Sequence, residues 1–162
     1  MQDLRDLYAS IDLGNASTYL QSGNVVFETT LSDSEKLEAK IAAAIEKQYG
    51  YSVSVLLRTG ADFKRIIRDS PILKDANVDL SKLHVTFLQQ SPLDTRVTSL
   101  QPPANISDEF IILGQEVFVH CPGGYGRTKL TNNFFEKRLS VPATTRNWKT
   151  VNALHGLAQE RN

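Results

Sequence analysis

The sequence predicts an α+β fold of ferredoxin-like α/β plait units, with helices packed on mixed or antiparallel sheets. Three observations predict it. One-sided helical periodicities alternate with short β-rich runs through the 162 residues. Gly114-Gln115 separates two apolar runs in the manner of a tight antiparallel hairpin. The order of helices and strands in residues 1–70 is loosely repeated in 83–139. Two α+β halves are therefore expected, 1–72 and 83–162, joined by a polar loop over 73–82.

The elements follow in order. Leu4, Leu7, Tyr8 and Ile11 have the i, i+3, i+4, i+7 spacing of a one-sided helix, which Gly14-Asn15 ends. Residues 18–27 are β-rich but interrupted by Ser22-Gly23-Asn24, so either one strand bulges at Gly23 or two strands meet there. Ser32 and Glu35 form a capping-box signature, and Leu37, Ile41, Ala44 and Ile45 line one face of a helix reaching Tyr49-Gly50. Tyr51 to Leu57 reads as a strand. Gly60 to Arg68 reads as a short helix halted at Ser70-Pro71, because proline lacks the amide the helical ladder requires.

In the second half, His84 to Leu88 reads as a strand and Leu93 to Leu100 as a helix opened by Pro92 and closed by Pro102-Pro103. Phe110–Leu113 and Glu116–His120 flank Gly114-Gln115, whose leading glycine suits a type II′ turn. A helix over Asn132–Leu139 precedes a break at Ser140-Val141-Pro142. The last helix is expected from about Arg146 to Gln159, with Trp148, Val151, Leu154, Leu157 and Ala158 on its apolar face.

A chain that opens on a helix departs from the usual order of a plait. A first strand is expected to be missing or supplied from elsewhere.

Composition narrows the class. Hydrophobic residues are 41% and charged residues 22%, an ordinary globular mix that excludes a disordered chain. No apolar run approaches the roughly 20 residues that cross a bilayer, and Met1-Gln2-Asp3-Leu4-Arg5 lacks the basic start of an export signal. A cytoplasmic protein without membrane contact is expected. The single Cys121 excludes an internal disulfide, and His84, His120 and His155 share no metal-ligand spacing, so neither metal nor cofactor is implied. Net charge is zero, yet residues 121–162 hold 7 basic and 2 acidic side chains against 11 and 16 in residues 1–120.

Three strings carry a family resemblance: residues 18–27 (Thr-Tyr-Leu-Gln-Ser-Gly-Asn-Val-Val-Phe), 125–130 (Tyr-Gly-Arg-Thr-Lys-Leu) and 142–151 (Pro-Ala-Thr-Thr-Arg-Asn-Trp-Lys-Thr-Val). In these the chain resembles the bacterial domain-of-unknown-function family 1697 over nearly its whole length. The resemblance implies ferredoxin-like units and a small cytoplasmic protein, and it implies no activity. Family members usually open with a further strand and an Arg-Gly-Ile-Asn-Val-Gly loop. This sequence starts at about the helix that follows; a sheet lacking that strand exposes unpaired backbone groups, which favours either addition of a partner strand or instability, and an interaction module is one alternative reading.

The charge asymmetry directs attention to Gly123, Gly124 and Gly126 with Arg127 and Lys129, joined by Arg146 and Lys149. Backbone amides in a Gly-rich loop can turn inward around an anion, while arginine adds bidentate contacts and lysine a point charge. The spacing matches neither the phosphate loop nor the dinucleotide fingerprint. The alternative is structural, with glycines supplying positive φ and the charges forming a solvated helix face. The partners this predicts are an anionic small molecule or nucleic acid, with a second copy of the chain as a further partner. Ser22 and Asn24 are candidate pocket residues. They, Cys121 and His120 are the groups a small-molecule enzyme would use, although no base is placed to activate a nucleophile, and no catalytic residue is assigned.

Overall fold

The computed structural model describes residues 2–161. It divides into two units, one comprising the residues up to Gly60 with those from Leu154 onward, the other Ala61–Ala153.

In the first unit, helix α1 (Gln2–Ser10) buries Leu7 and Tyr8, two members of the predicted stripe. The interrupted β-rich run is two strands, β1 (Gly14–Tyr19) and β2 (Asn24–Glu28), paired antiparallel with a bulge between Gly14 and Ser17. Helix α2 (Ser34–Tyr49) starts under an Asp33 cap, whose carboxylate accepts the Lys36 amide at 3.1 Å. The expected Ser32 cap is thus displaced by one residue, because the Asp33 carboxylate lies at the helix start and offers a charged acceptor to the orphan amides. Tyr8, Leu13, Leu37 and Ile41 form the buried centre, with Val25, Phe27, Val55 and Leu57 packed against it. Tyr8 and Phe27 meet edge to face, centroids 5.2 Å apart.

The expected strand at 51–57 lies in no sheet among the described residues. Its local pattern suits a strand, but a strand exists only by pairing, and the Leu57 amide donates to Glu38 Oε1 of α2 at 2.9 Å. At the far end of the chain the Arg161 guanidinium joins β1 to β2 across the bulge. It donates to the Asn15 carbonyl, to the Val26 carbonyl at 2.9 Å and to Ser17 Oγ at 2.5 Å.

The second unit opens on helix α3 (Gly60–Arg68), followed by two 3-10 turns, Pro71–Lys74 and Leu80–Lys82, that begin just before and then lie within the 73–82 stretch expected to be loop. Then come β3 (Leu83–Leu88), α4 (Asp94–Ser99), β4 (Glu109–Leu113), β5 (Glu116–His120), α5 (Asn132–Leu139), β6 (Ala143–Asn147) and α6 (Trp148–Gln159). The sheet order is β4-β5-β3-β6, antiparallel throughout, which with the βαββαβ succession is the ferredoxin-like arrangement. At the hairpin Gly114 has φ 63° while Gln115 is not left-handed, as a type II′ turn requires. The last helix begins two residues later than expected, because Ala143–Asn147 pairs with β3; Asn147 Oδ1 then accepts the Thr150 amide at 2.8 Å and starts α6.

Strand alternation sorts the side chains of this sheet. His84, Thr86 and Leu88 of β3 share a face with Val117 and Val119 of β5 and Ala143 and Thr145 of β6. Thr86 and Thr145 hydroxyls lie 2.8 Å apart, and Thr145 donates to Asn132 of α5 at 3.0 Å. Around them Leu88, Val117, Val119, Cys121, Leu130, Phe135 and Leu139 form the main core. Truncating a fully buried phenylalanine such as Phe135 in such a core costs about 3–5 kcal/mol. The other face carries Val85, Phe87, Phe118 and Arg146, with Phe63 of α3 against Phe87 at 5.8 Å.

Candidate functional site

The Gly-rich segment leaves β5 at Cys121, whose amide donates to the Lys82 carbonyl at 2.9 Å, one step beyond the Leu83↔His120 pair. The Gly124 amide closes a turn onto the Cys121 carbonyl at 2.9 Å, and Gly124 itself has φ 92°, a conformation L side chains rarely adopt. A Cβ there would lie 3.9 Å from Lys82 Nζ. Tyr125–Arg127 forms a 3-10 turn, after which the Arg127 and Thr128 amides bond back to Gly124 and Tyr125. Thr128 Oγ1 donates to Asp108 at 2.6 Å and accepts the Leu130 amide at 3.0 Å, and Thr131 caps α5 by accepting the Phe134 amide at 3.2 Å.

This hydrogen bonding divides the segment's amides. Those of Gly124, Arg127, Thr128 and Leu130 are used within the chain. Those of Gly123, Tyr125, Gly126 and Lys129 have no acceptor among the described residues. Arg127 and Lys129 are exposed and form no ion pair among the described residues. Lys82 Nζ adds a third positive charge beside Gly124. Asp108 and Asp79 flank the segment. Asp108 is bound to Thr128, while Asp79 accepts from Ser81 at 2.9 and 2.7 Å, and its carboxyl is held below the usual range chiefly by Ser81, with Lys82 and His120 contributing.

Tyr125 anchors the turn by stacking on His84, ring centroids 4.4 Å apart and planes inclined 22°. His84 Nδ1 is buried without a hydrogen-bond partner among the described residues, and burial pushes the imidazole below its ordinary pKa, offset in part by the Lys82 backbone. Lys82 and His84 are contributions that sequence reasoning missed. Nothing in their spacing to Tyr125 marks them, since the β3–β5 register brings them there.

The remaining candidates lie elsewhere. Arg146 projects from the face of the sheet opposite His84, donating to Thr144 Oγ1 at 2.6 Å and to the Thr145 carbonyl at 2.9 Å, with burial lowering its pKa. Lys149 is exposed in the first turn of α6. Ser22 and Asn24 belong to the first unit, Ser22 in the β1–β2 turn and Asn24 at the start of β2, where the Asn24 amide group donates to Ser22 Oγ at 2.7 Å and to the Tyr19 carbonyl at 3.0 Å. Cys121 is fully buried and burial pushes its thiol up. Among the described residues no group of three His, Cys, Asp or Glu side chains is placed to hold a metal, and no helix is long and apolar enough to cross a membrane.

A basic, Gly-rich turn anchored to the sheet of a ferredoxin-like α+β protein is the class that this geometry defines. The chain belongs to the DUF1697 family, described as a protein of unknown function, which matches residues 1–118. Two of the three strings that resemble the family, 125–130 and 142–151, lie beyond that match. The conserved bacterial protein SP0830 from Streptococcus pneumoniae has a similar structure, with a TM-score of 0.74 at 20% identity over 98% of this chain and 88% of that one. This likeness is one of fold. No curated protein matches the chain.

Proposed function

We propose that the segment from Gly123 to Lys129 binds an anionic ligand in the cytoplasm, either a phosphate-bearing small molecule or single-stranded nucleic acid. One observation carries the reading: four backbone amides without acceptors share a turn with the exposed cations Arg127 and Lys129 and with Lys82. Amide donors and fixed positive charge together recognise phosphate oxygens, and Arg127 supplies the bidentate fork. Arg146 and Lys149 contribute at most long-range attraction, because no contact brings them to the turn.

The test is a titration of the intact chain with inorganic phosphate and with short single-stranded oligonucleotides at several salt concentrations. Each phosphate contact contributes about 0.7 to the logarithmic salt slope for single strands, so an Arg127→Ala, Lys129→Ala variant should lose about 1.4 in slope. A slope unchanged in the variant removes the nucleic-acid version. Absence of binding for both probes removes the proposal.

A further inference from the structure

Positive charge at the Gly-rich turn is concentrated and does not continue away from it. Arg127 and Lys129 belong to the turn, and Lys82 reaches it from the 3-10 turn before β3, its Nζ 3.9 Å from where a Cβ on residue 124 would stand. A carboxylate is fixed close to each end of this group. Asp79 caps the turn that holds Lys82 by accepting the Ser81 amide at 2.9 Å, and Asp108 accepts the hydroxyl of Thr128, the neighbour of Arg127, at 2.6 Å. Of the other cations in this part of the chain, Arg138 lies over the Phe134 ring at 5.7 Å and Arg146 projects from the opposite face of the sheet. A chain of phosphates laid across the turn would leave its cations and meet Asp79 or Asp108. A single phosphate group would not.

The supply of donors points the same way. The amides of Gly123, Tyr125, Gly126 and Lys129 have no acceptor among the described residues, and Arg127 adds its planar fork. A terminal phosphate offers three strong acceptor oxygens and a charge of about −1.5 to −2 near pH 7. A phosphate inside a nucleic-acid strand has both neighbours esterified and carries a single charge. Four amides and three cations in one turn match the terminal group in charge and in acceptor sites, and exceed what the diester can use.

Base recognition is missing from the same surface. Strand binding without sequence preference needs exposed aromatic rings on which bases stack. Tyr125 is half-buried against His84, and Trp148 is 6% exposed. The exposed aromatic side chains among the described residues, Tyr49 and Tyr51, belong to the first unit.

We infer that the turn recognises the dianion of a phosphomonoester, one terminal phosphate held by the free amides, Arg127, Lys129 and Lys82, and that it discriminates against the diester phosphates of a nucleic-acid backbone. This rests on the anion-binding reading above and selects between its two ligands. The same terminal group occurs on a small molecule and at the 5′ end of a strand, and the shared chemistry is what the turn reads.

Four probes are titrated into the intact chain at constant ionic strength: methyl phosphate, dimethyl phosphate, and a short single-stranded oligonucleotide with and without a 5′-terminal phosphate. Affinity is measured by calorimetry and location by amide chemical shifts. Methyl phosphate should bind at least about tenfold more tightly than dimethyl phosphate, since each charge-assisted hydrogen bond lost is worth that factor. Its shifts should fall on Gly123, Tyr125, Gly126 and Lys129, and Lys82→Ala should weaken it about tenfold. The unphosphorylated strand should bind no better than dimethyl phosphate. A phosphorylated strand that outbinds methyl phosphate assigns the terminal group to a nucleic-acid end, and equal affinities assign it to a small molecule. Equal affinity for the two methyl esters, or an unphosphorylated strand that outbinds methyl phosphate, overturns the inference and leaves an anion site in place. Shifts that avoid residues 123–129, or no binding of any probe, overturn the anion-binding reading together with the inference.

Discussion

His84 of β3 and Tyr125 of the Gly-rich turn stack at 4.4 Å, and His84 Nδ1 is buried and has no hydrogen-bond partner among the described residues. An imidazole so placed resists protonation, which gives the first prediction its sign. Above the ordinary value of 6.5 the folded and unfolded chains both hold His84 neutral. Below it the unfolded chain takes the proton first, so this group removes stability progressively from about pH 6.5 down to its depressed folded value. Urea midpoints between pH 7.5 and 5 should therefore fall less in His84→Gln than in the natural chain. In Tyr125→Ala the His84 resonance should titrate closer to 6.5. A natural-chain titration at or above 6.5 would contradict the burial argument.

Glu116 opens β5 with 1% exposure, and both terminal nitrogens of Arg65 lie 3.4 Å from its carboxylate. Arg65 is itself 42% exposed, so the pair sits at the margin of the core and solvent screens part of the attraction. Removing the cation still weakens the solvation of a buried anion. Arg65→Ala should lower unfolding free energy by about 1–3 kcal/mol, and Glu116→Gln in the same background should recover part of the loss. A denaturant titration in which the second change deepens the loss would place the stabilisation of Glu116 elsewhere.

Cys121 should behave as an inert core residue. Burial raises its thiol, with Thr128 opposing and the negative charge of Asp108 reinforcing the shift, and the side chain has no exposed surface. At pH 8 a thiol-specific reagent should modify the folded chain on the order of a hundredfold more slowly than the chain in denaturant, since reaction needs both a thiolate and access. Comparable rates in the two states would show that the strand end opens readily.

Local signals were legible in the sequence where one stretch of chain determines its own structure. The stripe of Leu37 and Ile41 defined α2, proline stopped α3, and Gly114-Gln115 marked the β4–β5 turn. Two misreadings share a cause. Residues 51–57 have strand-like residues but lie in no sheet among the described residues, whereas Ala143–Asn147, which reaches into the helix expected from about Arg146, is β6. Pairing, a property of the neighbours, decided both. The candidate site divides the same way: Arg127 and Lys129 are visible in a string of seven residues, while Lys82 and His84 lie some forty positions upstream and join them only through the register of β3 on β5.

Alternation along β6 has an electrostatic consequence. Thr145 points toward α5 and Arg146 toward the opposite side, so a surplus of positive charge that is continuous along the chain is divided by the thickness of a sheet. The half-buried Arg146 guanidinium is thus engaged by Thr144 and Thr145 of its own strand, and the charge open to an anion approaching the turn is that of Arg127, Lys129 and Lys82.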